Sequence, residues 1–226
     1  EFSLSRELID EFSLSSHSKA HAAWENGWFD EESFPVNGVD REGNEILLER
    51  DEGIRGNMLL EKLSEMKPAF LDEGVVTAGN ASQLSDGASA VLVTSAEFAK
   101  EHGLTAYCTI RDYVTSGVEP ERVMAAPIPA INSLLERNNL SVDDVDVFEH
   151  NEAFASASCA VLAGVGIPED KLNLHGGAVS IGHPIGTSGT RCLITMFQAM
   201  RRVQAKNGIV SLCLGGGNAV AMLVEL

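Results

Sequence analysis

Three stretches of the sequence combine polar side chains with glycines or with the end of a predicted strand. In the first, residues 149–154, Asn151 lies where a buried strand passes into a helix, and ligands favour such junctions. The second, residues 176–191, contains five glycines and His183, so the backbone there can come close to a ligand. These two stretches supply an amide side chain and an imidazole on separate predicted loops.

The third stretch, residues 213–217, begins with Cys213 at the end of a predicted strand and ends in three glycines. Free backbone N–H groups beside a thiol suggest an oxyanion site. A histidine and a cysteine on separate loops, with an amide from a third loop, supply an acid–base pair and an oxyanion donor for thioester chemistry. Structural alternatives stay open for each stretch, since glycines often only shape turns, single histidines are often structural, and buried cysteines are usually inert.

The elements that must position these residues alternate after about residue 76. Residues 5–25 are predicted to form a helix with Ser5 as its N-cap, whereas the acidic, glycine-rich residues 26–74 are expected to be irregular. The alternation of short helices and strands that follows predicts an α/β layered domain. The predicted strands cover residues 88–93, 107–114, 145–148, 209–214 and 219–224. The predicted helices cover residues 95–103, with Ser95 as N-cap, 127–135, with Pro127 in the first turn, 153–165 and 186–205.

The charge of the chain excludes several classes of function. Sixteen basic and thirty-three acidic residues give a net charge of −17, so binding to nucleic acid or to an anionic membrane surface is not expected. The four cysteines are far apart and form no CxxC pair, which favours a reducing compartment, and we predict a cytoplasmic location. His17 and His21 have a spacing that can bind zinc, but a full ligand set is lacking and no metal is expected.

Four motifs resemble the signatures of the thiolase family, in the family's order and spacing. They are residues 78–82 (AGNAS), residues 151–154 (NEAF), the run 176–189 with GHP at 182–184, and residues 213–217 (CLGGG). The resemblance implies a thiolase-like layered α/β fold, with one complete core half built on a mixed sheet and part of the family's loop domain. It divides the chain into the remainder of the loop domain (1–76), the last strand and helix of the N-terminal core half (77–105) and the C-terminal core half (106–226).

The resemblance also implies the activity of an acyl-CoA C-acyltransferase. Such an enzyme condenses two acetyl-CoA molecules to acetoacetyl-CoA, or cleaves a 3-ketoacyl-CoA with CoA, through an acyl-cysteine. The family's acyl-accepting cysteine lies upstream of Glu1, and neither Cys108 nor Cys159 matches its motif. The chain is therefore expected to be inactive without that upstream cysteine. The alternative is a non-catalytic protein that binds CoA or pairs with another thiolase-like chain.

Residue roles follow from the same resemblance. His183 would activate the nucleophile, Asn151 would fix the water of the oxyanion hole, and Cys213 would move the proton at the substrate α-carbon. The Gly215 N–H would serve a second oxyanion hole, and a nearby histidine and glycine-turn amides are expected to lower the pKa of Cys213. No metal or redox cofactor is implied, and the expected partners are acyl-CoA, CoA, further copies of the chain in a dimer or tetramer, and the missing N-terminal half. The residues expected to contact CoA are Ser82, Leu84, Phe70, Phe154 and Arg55.

Some features depart from the family pattern. His175 stands in place of an asparagine, and residues 123–127 (VMAAP) replace a more glycine-rich segment near the substrate, so the acyl preference stays open. Residues 77–103 would lack hydrogen-bond and packing partners without the upstream core half. We therefore expect the isolated chain to be poorly stable, or to aggregate, unless its upstream segment is supplied.

Overall fold

The longest helix, α1 (Arg6–Glu25), lies near the start of the computed structural model, which describes residues 1–226. Its N-cap is Ser5, whose hydroxyl accepts a hydrogen bond from the Leu8 N–H at 3.1 Å, and the predicted helix is confirmed. One face of α1 is buried, with Ile9 and Ala20 fully inaccessible to solvent. This helix therefore has packing partners as well as a cap.

Residues 26–76 contain more regular structure than the sequence predicts. Two antiparallel strands, β1 (Val36–Val39) and β2 (Glu45–Leu48), form a hairpin, and a short helix, α2 (Leu60–Ser64), follows. The Asp40 carboxylate holds the hairpin turn by accepting hydrogen bonds from the N–H groups two and four residues later. The prediction of irregular structure is wrong here, because both strands are largely exposed and so carry little hydrophobic patterning.

The segment from residue 84 to residue 94 is extended but pairs with no other strand. The predicted strand over residues 88–93 is wrong, because no neighbouring segment offers the hydrogen bonds of a ladder. Leu92 and Val93 are consequently 76% and 67% exposed. The next helix, α3 (Ala96–Glu101), has the predicted N-cap Ser95 and is followed by Gly103 in a left-handed conformation, but it buries none of its residues.

The centre of the fold is a four-stranded mixed sheet with the strand order β3-β6-β5-β4. β3 (Thr109–Gly117) pairs antiparallel with β6 (Asn218–Glu225), and β6 pairs antiparallel with β5 (Asn207–Leu214). β4 (Val147–His150) lies parallel to β5. The predicted mixed sheet is confirmed, although β3 lies a little later in the sequence than expected.

Helices cover both faces of this sheet. α4 (Pro127–Arg137) and α5 (Ala155–Val165) pack on one face, and after the short helix α6 (Ala178–Ile181), α7 (Ser188–Val203) packs on the other. Because consecutive strand residues point to opposite faces, each buried strand contributes to both apolar clusters, and the predicted α/β layered fold is confirmed. Strand residues on the α4 side include Phe148, Ile209 and Leu223, and those on the α7 side include Val147, Val210 and Val224. Three 3₁₀ helices lie at Pro120–Ala125, Val142–Asp144 and Glu169–Lys171.

None of the helices has the length and the apolar composition that crossing a bilayer requires.

Candidate active site

The parallel pairing of β4 and β5 brings two predicted site residues to one edge of the sheet. His150 lies opposite Ser211 in this pairing, and the Asn151 N–H donates to the Ser211 carbonyl at 3.2 Å. Cys213 follows Ser211 near the carboxyl end of β5. Asn151 and Cys213 therefore lie at the carboxyl ends of neighbouring strands, which is the edge where α/β sheets place their ligands.

Asn151 and His183 are in direct contact. Nδ2 of Asn151 lies 3.2 Å from Nε2 and 3.4 Å from Nδ1 of His183, so the amide lies over the face of the ring. Nδ1 of His183 lies 2.7 Å from Oγ of Ser188. The Ser188 hydroxyl also lies 3.0 Å from the Pro184 carbonyl, which can accept from it. Ser188 therefore fixes the orientation of the imidazole through Nδ1.

The loop that carries His183 is held by residues from the extended segment before α3. The His183 N–H donates to the Gln83 carbonyl at 3.1 Å, and the side-chain amide of Gln83 donates to the Ser180 carbonyl at 3.1 Å. Gly182 has a φ of +95°, and a Cβ atom there would collide with Oγ of Ser85. The glycine before the histidine is therefore required by both backbone conformation and space.

The turn between β4 and α5 is built around the buried carboxylate of Glu152. This residue adopts a left-handed backbone conformation with a φ of +61°. Its carboxylate accepts hydrogen bonds from Oγ of Ser16 at 2.6 Å, Nδ2 of Asn173 at 2.6 Å and the Val179 N–H at 3.3 Å. Glu152 therefore ties α1 and α6 to the strand end that carries Asn151.

The environment of Cys213 differs from the one that the sequence predicts. Its thiol is half-buried and contacts Sδ of Met124 at 3.9 Å. Burial raises the pKa of Cys213, so the expected lowering of this pKa is wrong for the chain as it stands. The reason is that no cation and no donor from another residue contacts the sulfur, since His183 contacts Asn151 and Ser188 instead.

Gly215 begins the three-residue turn between β5 and β6. Its N–H makes no hydrogen bond and the residue is exposed, as an oxyanion donor requires. Gly216 and Gly217 have φ values of +82° and +90°, which favour glycine at both positions. The turn therefore presents a free N–H two residues beyond Cys213, whereas the role of Gly215 stays a prediction.

Three of the five residues expected to contact CoA lie together. Ala81 forms an isolated bridge with Phe154, and the Ser82 N–H donates to the Ala153 carbonyl at 3.2 Å. The rings of Phe70 and Phe154 meet edge to face, with their centroids 6.3 Å apart. The structure thus places a serine beside a pair of aromatic rings, and Phe70 is largely exposed.

Leu84 and Arg55 are exposed, and the structure does not join them to that group. The side chain of Leu84 is fully accessible to solvent, and Arg55 is fixed through its N–H, which donates to Nδ1 of His17 at 3.2 Å. The two segments are still neighbours, because Nε2 of Gln83 donates to the Gly53 carbonyl at 3.0 Å. Contact of Leu84 or Arg55 with CoA stays a prediction.

The structure contains no group of three or more histidine, cysteine or acidic side chains arranged to hold a metal ion. His17, one of the two histidines with zinc spacing, is buried and already uses Nδ1 to accept the Arg55 N–H. Burial lowers the pKa of His17 to about 4.

A buried ion pair, which was not predicted from the sequence, adjoins the site. Nη1 of Arg191 lies 2.7 Å from Oε1 of Glu149, which is fully buried. Burial raises the pKa of Glu149, and the Arg191 cation opposes that shift. Burial and, secondarily, the same cation lower the pKa of His183, which keeps the imidazole neutral at neutral pH. The ion pair could have been found from the sequence, because Glu149 and Arg191 both lie in largely apolar segments and buried charges are usually paired.

An α/β layered fold with an imidazole–amide pair and a thiol at neighbouring loops defines a class of protein suited to acyl transfer. Comparison with known proteins gives the family. A model described as the thiolase C-terminal domain matches residues 104–226, and one described as the thiolase N-terminal domain matches residues 1–97. The chain belongs to the thiolase family.

Its relatives are longer than this chain. The acetyl-CoA acetyltransferase of Cupriavidus necator is 46% identical over 225 residues, which cover 100% of this chain and 57% of the relative. The crystal structures of Bacillus anthracis acetyl-CoA acetyltransferase and of human mitochondrial 3-ketoacyl-CoA thiolase each match with a TM-score of 0.94, and their sequence identities are 40% and 36%. Each match covers 98% of this chain and 56% of the chain in the crystal structure. The human thiolase in complex with CoA matches with a TM-score of 0.92. The chain thus spans a little over half the length of these relatives.

Proposed function

We propose that this chain is the C-terminal part of an acyl-CoA C-acyltransferase. The complete enzyme would condense two acetyl-CoA molecules to acetoacetyl-CoA, or cleave a 3-ketoacyl-CoA with CoA, through an acyl-cysteine. The observation that carries the proposal is the contact between the Asn151 amide and the His183 ring, with Cys213 at the end of the neighbouring strand. The relatives support it, because acetyl-CoA acetyltransferases and a 3-ketoacyl-CoA thiolase match nearly the whole chain.

His183 is the base that activates the upstream acyl-accepting cysteine. Its lowered pKa leaves the ring neutral at neutral pH, and Nε2 can therefore take the proton of the thiol. The hydrogen bond from Nδ1 to Ser188 holds the ring in that orientation. Asn151 lies beside Nε2 at 3.2 Å, so a thioester oxygen, or a water bound to it, can accept from the amide and from the protonated ring together.

Cys213 exchanges the proton at the α-carbon of the second substrate. Because burial raises its pKa, the thiol is protonated in this chain and can act first as an acid. To act as a base, it needs a cation or a donor nearby, which the upstream half or the substrate would bring. The free N–H of Gly215 supports the negative oxygen that forms when the α-carbon loses its proton.

The CoA part of the substrate lies along Ser82 and the aromatic pair. Phe70 and Phe154 offer an apolar surface for the pantetheine arm, and Ser82 is fixed beside them through its backbone. The exposed Arg55 is a cation for the phosphate-bearing end, and Leu84 adds apolar surface that is fully accessible. The human thiolase that matches this chain crystallised with CoA, which supports this ligand class.

An upstream core half is the proposed partner of the extended segment before α3. Leu92, Val93 and Phe98 are 76%, 67% and 46% exposed, and residues 77–105 would complete the missing half as its last strand and helix. Unpaired strand groups and exposed apolar side chains both need such a cover. Assembly into a dimer or tetramer and a cytoplasmic location stay predictions.

The test joins all 226 residues to the upstream residues of the Cupriavidus necator relative, which are expected to supply the acyl-accepting cysteine. CoA-dependent cleavage of acetoacetyl-CoA is measured, and the acetylated cysteine is located by mass spectrometry. We expect turnover, and we expect His183→Ala and Cys213→Ala each to lower kcat by about 100-fold or more, which is the usual contribution of an acid–base group.

The matched control is Cys159→Ala, because Cys159 is buried on α5 outside this group of residues. Full activity of both His183→Ala and Cys213→Ala would contradict the proposed roles. A fusion that binds CoA but does not turn over would favour the alternative, a non-catalytic CoA-binding protein. The 226-residue chain alone should remain unacetylated at Cys108 and Cys159 after incubation with acetyl-CoA.

A further inference from the structure

We propose that His17 is a positioning residue, whose imidazole holds the backbone of Arg55 so that the guanidinium of Arg55 can meet the phosphate-bearing end of CoA. The inference rests on the proposed function for the role of Arg55. It gives a use to His17 and His21, two histidines whose spacing resembles that of zinc ligands but which belong to no metal site.

One face of α1 holds residues 50–56, which we call the Arg55 segment. Residues four, seven and eight positions apart lie on the same side of a helix. Four residues of α1 share this spacing and contact the segment, and we call them the helix platform: His17, His21, Trp24 and Glu25. The start and the end of the Arg55 segment contact the platform in different ways.

The start of the Arg55 segment is held by exposed side chains. Nη2 of Arg50 lies 3.0 Å from Oε1 of Glu25, and the guanidinium lies over the Trp24 ring, 5.4 Å from its centroid. Nε1 of Trp24 donates to Oδ2 of Asp51 at 3.3 Å. Exposed ion pairs contribute little to stability, so these contacts alone do not fix the position of the segment.

The end of the Arg55 segment is held through its backbone. The Arg55 N–H donates to Nδ1 of His17 at 3.2 Å, and the His17 side chain is buried. A Cβ atom at Gly56 would collide with the His21 ring, so the backbone passes directly over the platform there. Arg55 is itself exposed. Its backbone is therefore fixed while its side chain is free to reach a ligand.

The imidazole of His17 is neutral, as an acceptor must be. Burial and, secondarily, the Arg55 cation lower the pKa of His17 to about 4. Because Nδ1 accepts from the Arg55 N–H, the single ring proton lies on Nε2. An N–H group that loses its acceptor in a partly buried place costs more free energy than the bond itself contributes. His17 thus favours one position of the Arg55 backbone at neutral pH.

The other side of the Arg55 segment contacts the proposed CoA surface. Nε2 of Gln83 donates to the Gly53 carbonyl at 3.0 Å, and Gln83 follows Ser82 in the sequence. The segment therefore lies between α1 and the residues expected to contact CoA. A cation held in place before the ligand arrives binds it more tightly, because the loop loses less conformational freedom on binding.

The experiment compares acetoacetyl-CoA with acetoacetyl-pantetheine, which lacks the phosphates of CoA. The enzyme is the 226-residue chain joined to the upstream residues of its relative. His17→Leu removes the acceptor and should raise KM for acetoacetyl-CoA about fivefold, a change typical of losing one hydrogen bond, without changing kcat. KM for acetoacetyl-pantetheine should stay the same. His17→Asn keeps an acceptor close to the position of Nδ1 and should restore KM to within about twofold of its original value.

Arg55→Ala tests whether His17 acts through Arg55. This change should also raise KM for acetoacetyl-CoA, and adding His17→Leu to it should have no further effect, because the cation to be positioned is gone. His102→Leu is the matched control, since His102 is an exposed histidine at the end of α3. It should change KM for neither substrate.

Four results would overturn the inference. Three are kinetic: an unchanged KM in His17→Leu, an equal rise in KM for both substrates, and a further rise when His17→Leu is added to Arg55→Ala. The fourth is a ring proton on Nδ1 of His17 in the unaltered protein labelled with ¹⁵N-histidine, a measurement that needs no variant to fold.

Binding separates this inference from the proposed function. In a fusion that does not turn over, the dissociation constants of CoA and pantetheine take the place of KM. If His17→Leu weakens the binding of CoA alone in an inactive fusion, only the thiolase activity is contradicted. If it leaves the binding of CoA unchanged in an active fusion, only the role of His17 is contradicted.

Discussion

The carboxylate of Glu152 joins several parts of the chain around the candidate site. Three donors from α1, α6 and the segment before α6 converge on its two oxygens, and the side chain is almost fully buried. The backbone of the same residue has a left-handed conformation, which turns the chain from β4 into α5. A single side chain thus sets both the direction of the chain after Asn151 and its distance from α6.

We expect Glu152→Gln to lower the free energy of unfolding by about 1–3 kcal/mol, because the new NH₂ group must face a donor such as the Val179 N–H and leave it unsatisfied. Urea unfolding of the fused protein measures this change. Glu169→Gln is the matched control, since Glu169 is exposed and its replacement should change stability by less than about 0.5 kcal/mol. Equal losses for the two variants would show that the buried carboxylate has no special role.

The sequence indicated which residues lie at the ends of strands, but it did not indicate their pKa values. Asn151 and Cys213 were each predicted at the end of a strand, and the parallel pairing of β4 and β5, which was not predicted, brings these ends to one edge. The pKa of Cys213 was predicted wrongly, since it depends on burial and on which loop reaches the sulfur. Ser188 was missed because its partner is a side chain from the same loop, and the residue type alone does not indicate this.

The two halves of the extended segment before α3 differ in their hydrogen bonds. Its first half is fixed to the His183 loop, where Oγ1 of Thr187 donates to the Gly87 carbonyl at 2.6 Å and Oγ of Ser89 donates to the Thr187 carbonyl at 3.2 Å. Its second half, residues 90–94, makes no such bonds and is largely exposed. Only the second half therefore has no hydrogen bonds to the rest of the chain.

We expect the amides of residues 90–94 to exchange with solvent rapidly in the isolated chain and to become strongly protected once the upstream half is joined. The reason is that unbonded N–H groups exchange without any opening of the structure, whereas a strand ladder protects them. Hydrogen–deuterium exchange followed by mass spectrometry compares the two proteins. Peptides from β5 are the internal control, because this strand is paired on both sides in the chain itself. Similar fast exchange at residues 90–94 in both proteins would contradict the proposed partner.

Elements with a local signal were predictable, and elements without one were not. Ser5 and Ser95 as N-caps, and Pro127 in a first turn, each located a helix that the structure contains. The β1–β2 hairpin was missed because its strands are short and exposed. The strand over residues 88–93 was predicted from composition, but strand formation also needs a partner, which composition does not report.

The whole molecule contains three buried histidines whose charged form is disfavoured in the folded chain. Burial is the main cause that lowers the pKa of His17, His150 and His175, in each case to about 4. His150 has an Nε2 atom with no partner, whereas His175 stacks on the Trp28 ring and accepts a hydrogen bond at Nε2 from Nε of Arg202. Protonation of any of them would place an unpaired cation in the interior.

We expect these three histidines to lower the free energy of unfolding as the pH drops from 7 to 5, against the opposite contribution of Glu32 and Glu149, whose pKa values burial raises to about 7 and about 8. In this window the unfolded chain, with histidine pKa values near 6.5, binds protons that the folded chain does not, so stability present above about pH 6.5 is lost towards pH 4. Each buried histidine should contribute about 2 kcal/mol of this loss. Urea unfolding at both pH values measures it.

The double variant His150→Leu/Ser211→Ala, which removes a buried ring together with its hydrogen-bond partner, should recover about 2 kcal/mol of that loss. His102→Gln is the control, because His102 is exposed. The same pH dependence in the double variant and the unaltered protein would exclude a contribution from His150.

The link between Gln83 and the His183 loop affects how such a protein can evolve. Gln83 belongs to the part of the chain that matches the N-terminal domain of the family, whereas His183 and Ser180 belong to the part that matches the C-terminal domain. A gene rearrangement that exchanged one part between homologues would keep the backbone bond to His183, but it would place another homologue's side chain opposite the Ser180 carbonyl. Recombination between family members should therefore depend on whether the side chain at position 83 can still donate to this carbonyl.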